Sequence, residues 1–265
     1  MSTTPKSETA RRPADAGGRA CYVYGIVRGK ARLPDDLVGL GGANVSVVRH
    51  GDLAGVVSEI SPGQALGTRE DLLAHEDVVE TLAAEATMLP LRFGAVVTTP
   101  DALVEEMLVP YHDWFMDVLA DLSGTQEFAI IGGYVEDVLI REVLAEEPEA
   151  AGLREKIRGL PEDAAYYDRI RLGELIVKAM EDKRQTDTEE LVAALEPYTA
   201  DAALRTPAGE DTAADVAFLV TEQRLPEFED AVDALGERWA GRIRLRMVGP
   251  LAPYDFVPPP PEEGT

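Results

Sequence analysis

Apolar positions along this chain recur with two periods, and the switches between them predict the elements. Cys21–Arg28 (CYVYGIVR) is apolar on both alternating faces, the pattern of a central strand covered on both sides. Asn44–Arg49 and Leu53–Ser58 are short β-branched runs separated by His50-Gly51-Asp52, which reads as a hairpin. From Thr68 the period lengthens. Thr68-Arg69-Glu70-Asp71 sets a carboxylate three residues after a threonine cap. Leu72, His75, Val79, Leu82 and Ala86 then line one face of a helix. Met88–Val97 follows as a strand, with Pro90 near its start. Thr99 and Pro100 open a second helix, whose stripe is Leu103, Met107, Tyr111, Trp114, Val118 and Leu122. Pro110 lies inside it and should kink or break it.

The second half starts near Gly124. Gln126–Val135 is a strand whose glycine pair, Gly132-Gly133, marks a bulge. Residues 136–197 are helical in pattern, with breaks expected near Pro148, Gly159-Leu160-Pro161 and Thr186, and Ile170, Gly173, Val177 and Met180 share one face. Residues 199–211 read as a polar loop, and Val216–Val220 as a buried strand. Pro226 opens a helix striped by Phe228, Val232, Leu235 and Trp239. Arg242–Val248 alternates strictly, with arginines on one side and Ile243, Leu245 and Met247 on the other. The expected fold class is α+β in two domains: an N-terminal mixed α/β sheet domain over 20–124 and a C-terminal ferredoxin-like α+β domain with extra helices over 125–249. Residues 1–19 read as a disordered tail, and 250–265 as a Pro-rich tail folding back on the domains.

Charge narrows the partners. With 25 basic and 49 acidic residues the net charge is −24, which repels phosphate backbones and anionic membranes. Neither nucleic acid nor a membrane is an expected partner. Cys21 is the only cysteine, so neither an intrachain disulfide nor a thiolate cluster can form. The first residues lack an apolar leader, and Arg11-Arg12 are followed by Pro13 and small polar residues rather than an apolar stretch, so no export signal is expected.

Candidate chemistry is sparse. Gly39-Leu40-Gly41-Gly42 precedes a strand rather than a helix and lacks the last position of a dinucleotide fingerprint. His75-Glu76-Asp77-Val78-Val79 is half of a zinc-protease motif with valine at the second ligand position. His75 is better explained as a histidine at the edge of the core with a hydrogen-bond partner. The many carboxylates single out no acid–base pair. No catalytic, cofactor-binding or metal-ligating residues are assigned, and no cofactor or small-molecule substrate is expected. Arg242, Arg244 and Arg246 form a cationic stripe that reads as a wet sheet face paired to acidic helix residues.

Four segments together resemble the gas vesicle protein F/L family (GvpF/GvpL). They are Tyr22–Val27; His75 with Met88-Leu89-Pro90-Leu91-Arg92-Phe93-Gly94-Ala95-Val96; Tyr166–Gly173 with Ala217–Val220; and the closing Gly249-Pro250-Leu251-Ala252-Pro253-Tyr254-Asp255-Phe256-Val257. The match in order and spacing covers about residues 20–257. It departs at Phe128-Ala129-Ile130-Ile131, where the family carries a Trp and a Lys, and at Ala252, which replaces a frequent proline.

The resemblance implies a non-enzymatic accessory or minor structural protein of gas vesicle formation, cytoplasmic and vesicle-associated. It further implies partners in the hydrophobic shell protein and other accessory gas vesicle proteins. The candidate partner-binding or domain-interface residues are His75, Leu89, Pro90, Leu91, Arg92, Phe93, Gly94, Pro250, Pro253, Tyr254 and Phe256. Two alternatives stand beside this: an enzyme holding a small anion on Arg92 and the arginine stripe, and a regulatory adaptor acting through its Pro-rich tail.

Overall fold

The computed structural model describes residues 20–34, 36–135, 138–161 and 163–261; the expected N-terminal tail, its twin arginine and the last four residues lie outside this range. The chain forms two compact units. Among the described residues, one comprises residues 20–82 together with Pro90–Asp117, and the other Ala83–Leu89 with Val118–Pro259.

The first unit is built on β1 (Ala20–Arg28), buried over all but its last residue. The hairpin forms as expected from β2 (Val45–His50) and β3 (Leu53–Ile60), with Gly51 at φ +57° in the tight turn. β3 pairs antiparallel with β1, and the register slips by one residue at Tyr24. Helix α1 (Arg69–Glu85) starts with a reciprocal capping box: Asp71 N–H donates to Thr68 Oγ1 (3.1 Å), and Thr68 N–H donates to Asp71 Oδ2 (3.0 Å). Its buried residues are His75, Val78, Val79 and Leu82; Leu72, expected on this stripe, is 41% exposed. The single strand expected over Met88–Val97 is instead two, β4 (Met88–Pro90) and β5 (Val96–Val97). Gly94 between them has φ +97°, a conformation that ends an extended run. The sheet order is β2-β3-β1-β4, with β5 also on β1.

Thr99 caps α2 (Pro100–Leu103) by accepting Ala102 N–H. Pro110 has no N–H to continue the ladder. The backbone before it widens, so that Val109 N–H reaches back five residues to Val104 C=O, and α3 (His112–Asp121) begins beyond it. Gly55 of β3 leaves the room that Leu103 fills; a Cβ there would lie 2.5 Å from Leu103 Cδ2.

The second unit carries β6 (Thr125–Tyr134), α4 (Val138–Glu146), α5 (Pro148–Ile157), α6 (Tyr166–Leu195), β7 (Asp201–Leu204), β8 (Thr212–Thr221), α7 (Leu225–Arg238) and β9 (Ile243–Leu251). Its sheet runs β7-β8-β6-β9 with every pair antiparallel, the split β-α-β-β-α-β arrangement of ferredoxin-like type. The register shift at Gly132/Gly133 is the expected bulge. Strand β7 falls where a loop was expected: four small or short residues carry no strand signal of their own, and pairing with β8 makes the strand. Phe128, Ile130, Val216, Phe218, Phe228 and Leu195 belong to one cluster of buried hydrophobic residues packed against this sheet.

Helix α6 departs from expectation twice. It runs unbroken through Thr186, whose hydroxyl donates to Asp182 C=O (3.0 Å) and so stays within the helix. Its buried residues are Ala179, Asp187, Leu191 and Leu195, whereas Ile170 and Val177 of the expected face are 45% and 68% exposed. The hydrogen bonds from α6 to β8 come from Arg184 and Thr188, in its C-terminal half, and Asp187, Leu191 and Leu195 are buried beside them. The arginine stripe also divides. Arg244 and Arg246 are exposed, as on a wet face. Arg242 precedes β9 and forks onto Asp187 (2.7 and 2.9 Å), while its Nε meets Glu142 (3.0 Å).

Candidate partner-binding site

Strand β1 places Tyr22 and Tyr24 on one face, and α1 brings His75 over them. Their rings lie 4.9 Å apart, and His75 sits 5.7 Å from Tyr22, 5.8 Å from Tyr24 and 5.6 Å from Phe93. Gly94 N–H donates to Tyr22 Oη (3.1 Å), and with His75 donating to the Leu91 backbone, the Tyr22 hydroxyl donates to His75 Nδ1 (2.9 Å). That leaves the His75 proton on Nε2, for the Leu91 backbone. Leu91 N–H in turn donates to Tyr24 C=O (2.9 Å). Tyr24 Oη meets Ser58 Oγ (2.8 Å) and accepts Leu40 N–H (2.9 Å).

Burial sets the protonation of this cluster. It lowers the His75 pKa, with the Leu91 hydrogen bond opposing, so the ring is neutral at neutral pH. Burial likewise pushes Tyr22 up to about 12, against the Gly94 hydrogen bond. The Cys21 thiol is also pushed up, by burial and then by Glu59. A neutral imidazole 3% exposed, with its ring nitrogens engaged, is a fastener for the 91–94 turn. The candidate residues of this segment separate by depth. Leu89, Pro90 and His75 are buried, Leu91 and Phe93 half-buried, and Arg92 and Gly94 exposed.

The C-terminal candidates belong to the second unit. Leu251 pairs with Glu127 at the end of β9, and Tyr254–Phe256 form a single tight turn. Pro250 is exposed; Pro253, Tyr254 and Phe256 are half-buried. This turn is tied down by polar groups that sequence reasoning missed. Asp255 N–H donates to Glu127 Oε2 (3.3 Å), and Arg205 Nε lies 3.5 Å from both Asp215 Oδ1 and Asp255 Oδ2. Glu127 is 2% exposed, and its pKa is pushed up to about 8 by burial first and then by Asp255. Asp215 is raised as well, chiefly by burial. A glutamate inside an apolar strand run was the available signal for this cluster. Among the described residues, no group of three or more His, Cys, Asp and Glu is placed to hold a metal ion.

The sequence pattern of the gas vesicle synthesis proteins GvpL/GvpF matches residues 20–258. The chain belongs to this family. It is 31% identical to gas vesicle protein F of a Streptomyces species (strain CB03234) over 241 residues, 89% of this chain and 98% of that one. It is 30% identical to gas vesicle protein L of the same strain, over 90% of this chain and 93% of the relative. The crystal structure of GvpF from Anabaena sp. PCC7120 superposes with a TM-score of 0.76 at 24% identity, covering 91% of this chain and 98% of that one. As a GvpL/GvpF family member, the protein has a role in gas vesicle formation. Among the described residues no helix is long and apolar enough to cross a membrane.

Proposed function

We propose that this protein is a non-enzymatic assembly factor or minor component of the gas vesicle, cytoplasmic until it joins the vesicle. It binds the hydrophobic shell protein and other accessory gas vesicle proteins while the shell is built. The observation that carries this reading is the family match over residues 20–258. Physical features agree with it. A shell subunit with exposed apolar surface aggregates in water, and a carrier of charge −24 keeps a complex dispersed. The histidine is neutral and enclosed, which suits a scaffold better than an acid–base catalyst. The surfaces assigned to partners are the Arg92–Gly94 turn, fastened from below by Tyr22 and His75, and the Tyr254–Phe256 turn.

The test is co-expression of the tagged protein with the shell protein and co-purification in moderate salt. Retention of the shell subunit is expected, with loss on Arg92→Ala/Phe93→Ala or Tyr254→Ala/Phe256→Ala in proteins that keep their far-UV spectrum. If folded wild-type protein retains no shell subunit, the shell-binding reading falls.

A further inference from the structure

The geometry points to a docking groove along the free edge of β7, for an extended partner segment that adds a fifth strand to the second sheet. That segment carries apolar side chains together with lysine or arginine. The reading above places no partner on this edge.

Three observations lead there. The first is an open sheet edge. Arg205 N–H donates to Asp215 C=O (3.0 Å), and β7 pairs with β8 as Ala202↔Phe218, Ala203↔Ala217 and Leu204↔Val216. Antiparallel alternation then makes Ala203 and Arg205 the residues bonded to β8, while Ala202 and Leu204 turn their backbone groups outward. Ala202 N–H is taken by Asp201 Oδ1 (2.8 Å). Leu204 N–H and the carbonyls of Ala202 and Leu204 face away from the sheet, and Leu204 is 73% exposed. An edge of this kind is a template for another strand.

The second observation is room. A groove of about 710 Å³ runs between this edge and α6, with Val192, Ala193, Ala202, Leu204 and Pro207 as its apolar lining. A new strand sits about 4.8 Å beyond the last one, which puts it in this groove beneath the overhanging helix.

The third is charge. The two arginines in the lining are already engaged. Arg184 bonds Glu181, Thr212 C=O and Glu210 C=O, and Arg205 lies between Asp215 and Asp255. Among the described residues, the exposed Glu189 and Glu196 on the α6 wall have no cation paired to them in the groove, Glu189 accepting from Gln185 Nε2 (2.9 Å). An apolar lining with carboxylates along one wall is complementary to apolar side chains carrying a lysine or arginine between them.

The test uses the full chain and two labelled nine-residue probes, one with valine and lysine in turn at every second position and threonine between, so that both face α6, and one with glutamate in place of the lysine. Binding is read by fluorescence anisotropy near physiological salt. The lysine probe is expected to bind and the glutamate probe not. Leu204→Pro removes the outward N–H without touching a bond to β8, a substitution that edge strands tolerate. It should weaken binding at least tenfold at an unchanged thermal midpoint. Glu189→Lys/Glu196→Lys should weaken the lysine probe at least tenfold and admit the glutamate probe.

Should Leu204→Pro fail to fold, hydrogen exchange of the wild type decides. The Leu204 amide is expected to gain protection when the lysine probe is added. Equal binding of both probes, undiminished binding by a folded Leu204→Pro variant, an unprotected Leu204 amide, or a probe that becomes helical on binding would each overturn the proposal.

Discussion

At the scale of single residues, the second nitrogen of a histidine and the proton of a buried glutamate decide how two surface turns are held. His75 links α1 to Tyr22 and to the backbone of the 91–94 turn. Its replacement by alanine leaves the Tyr22 hydroxyl without its acceptor and opens a void. We expect a loss of about 2–4 kcal/mol in urea unfolding. The pH dependence has a defined sign. The folded pKa of His75 lies below the ordinary 6.5, so the unfolded chain takes up the proton first as pH falls. The histidine's contribution is complete above about pH 6.5 and drains away below it, and a His75→Leu variant should lose this part of the acid slope. Glu127 acts in the opposite direction. Its pKa rises from 4.5 to about 8 on folding, so stability is full below 4.5 and is lost as pH rises through 8. Glu127→Gln is expected to flatten the decline of the thermal midpoint between about pH 4.5 and 8; an unchanged slope would place the titration elsewhere.

Among elements, the junction of α4, α6 and the start of β9 is centred on one guanidinium, with Lys183 of α6 also bridging Glu142 of α4 (3.3 Å). Arg242 forks onto Asp187, which also accepts the Tyr134 hydroxyl (2.6 Å), and reaches Glu142. The Asp187 hydrogen bond is the first cause holding the Arg242 pKa above its usual value. Asp187 is 3% exposed, so removing the arginine leaves a carboxylate in the interior with only a tyrosine donor. Arg242→Ala should cost about 3 kcal/mol in chemical denaturation, and Arg242→Lys should recover little, because an ammonium cannot make the fork. Full recovery by lysine would reduce the contact to a point charge. The same junction shows why a cationic stripe read from alternation is incomplete: Arg242 stands outside β9, and the two arginines within the strand keep the expected exposed face.

For the whole molecule, a charge of −24 on 265 residues is a standing self-repulsion. Added monovalent salt screens it over a Debye length that falls from about 30 Å at 0.01 M to about 8 Å at 0.15 M. The thermal midpoint is therefore expected to rise with salt across this range. A fall would mean that the ion pairs joining α6 to α4 and α5, such as Lys183–Glu146 and Arg171–Glu149, outweigh the repulsion. In the proposed role, the same charge would keep a complex with an apolar shell subunit dispersed. It also gives local weight to the few places, such as the β7 groove, where carboxylates border an apolar strip.

What the sequence determined by itself are the features that depend on backbone chemistry or on period within a few residues. They include the doubly buried β1, the β2–β3 hairpin, the threonine caps, the break at Pro110 and the bulge at Gly132-Gly133. Each is enforced by sterics or hydrogen bonds close to the residue that signals it. Family-specific segments made the gas vesicle relationship legible as well. Tertiary structure decided the rest. It made a strand of Asp201–Leu204, split Met88–Val97 at Gly94, and turned Ile170 and Val177 to solvent. It also gathered Tyr22, His75 and Gly94 from three separate elements, and Glu127, Arg205, Asp215 and Asp255 from β6, β8, the segment after β7 and the C-terminal turn. Tyr22 lies 53 residues from His75 and 72 from Gly94, and Glu127 lies 128 from Asp255. No window of local sequence spans that distance, so only the packed chain specifies which side chain meets which.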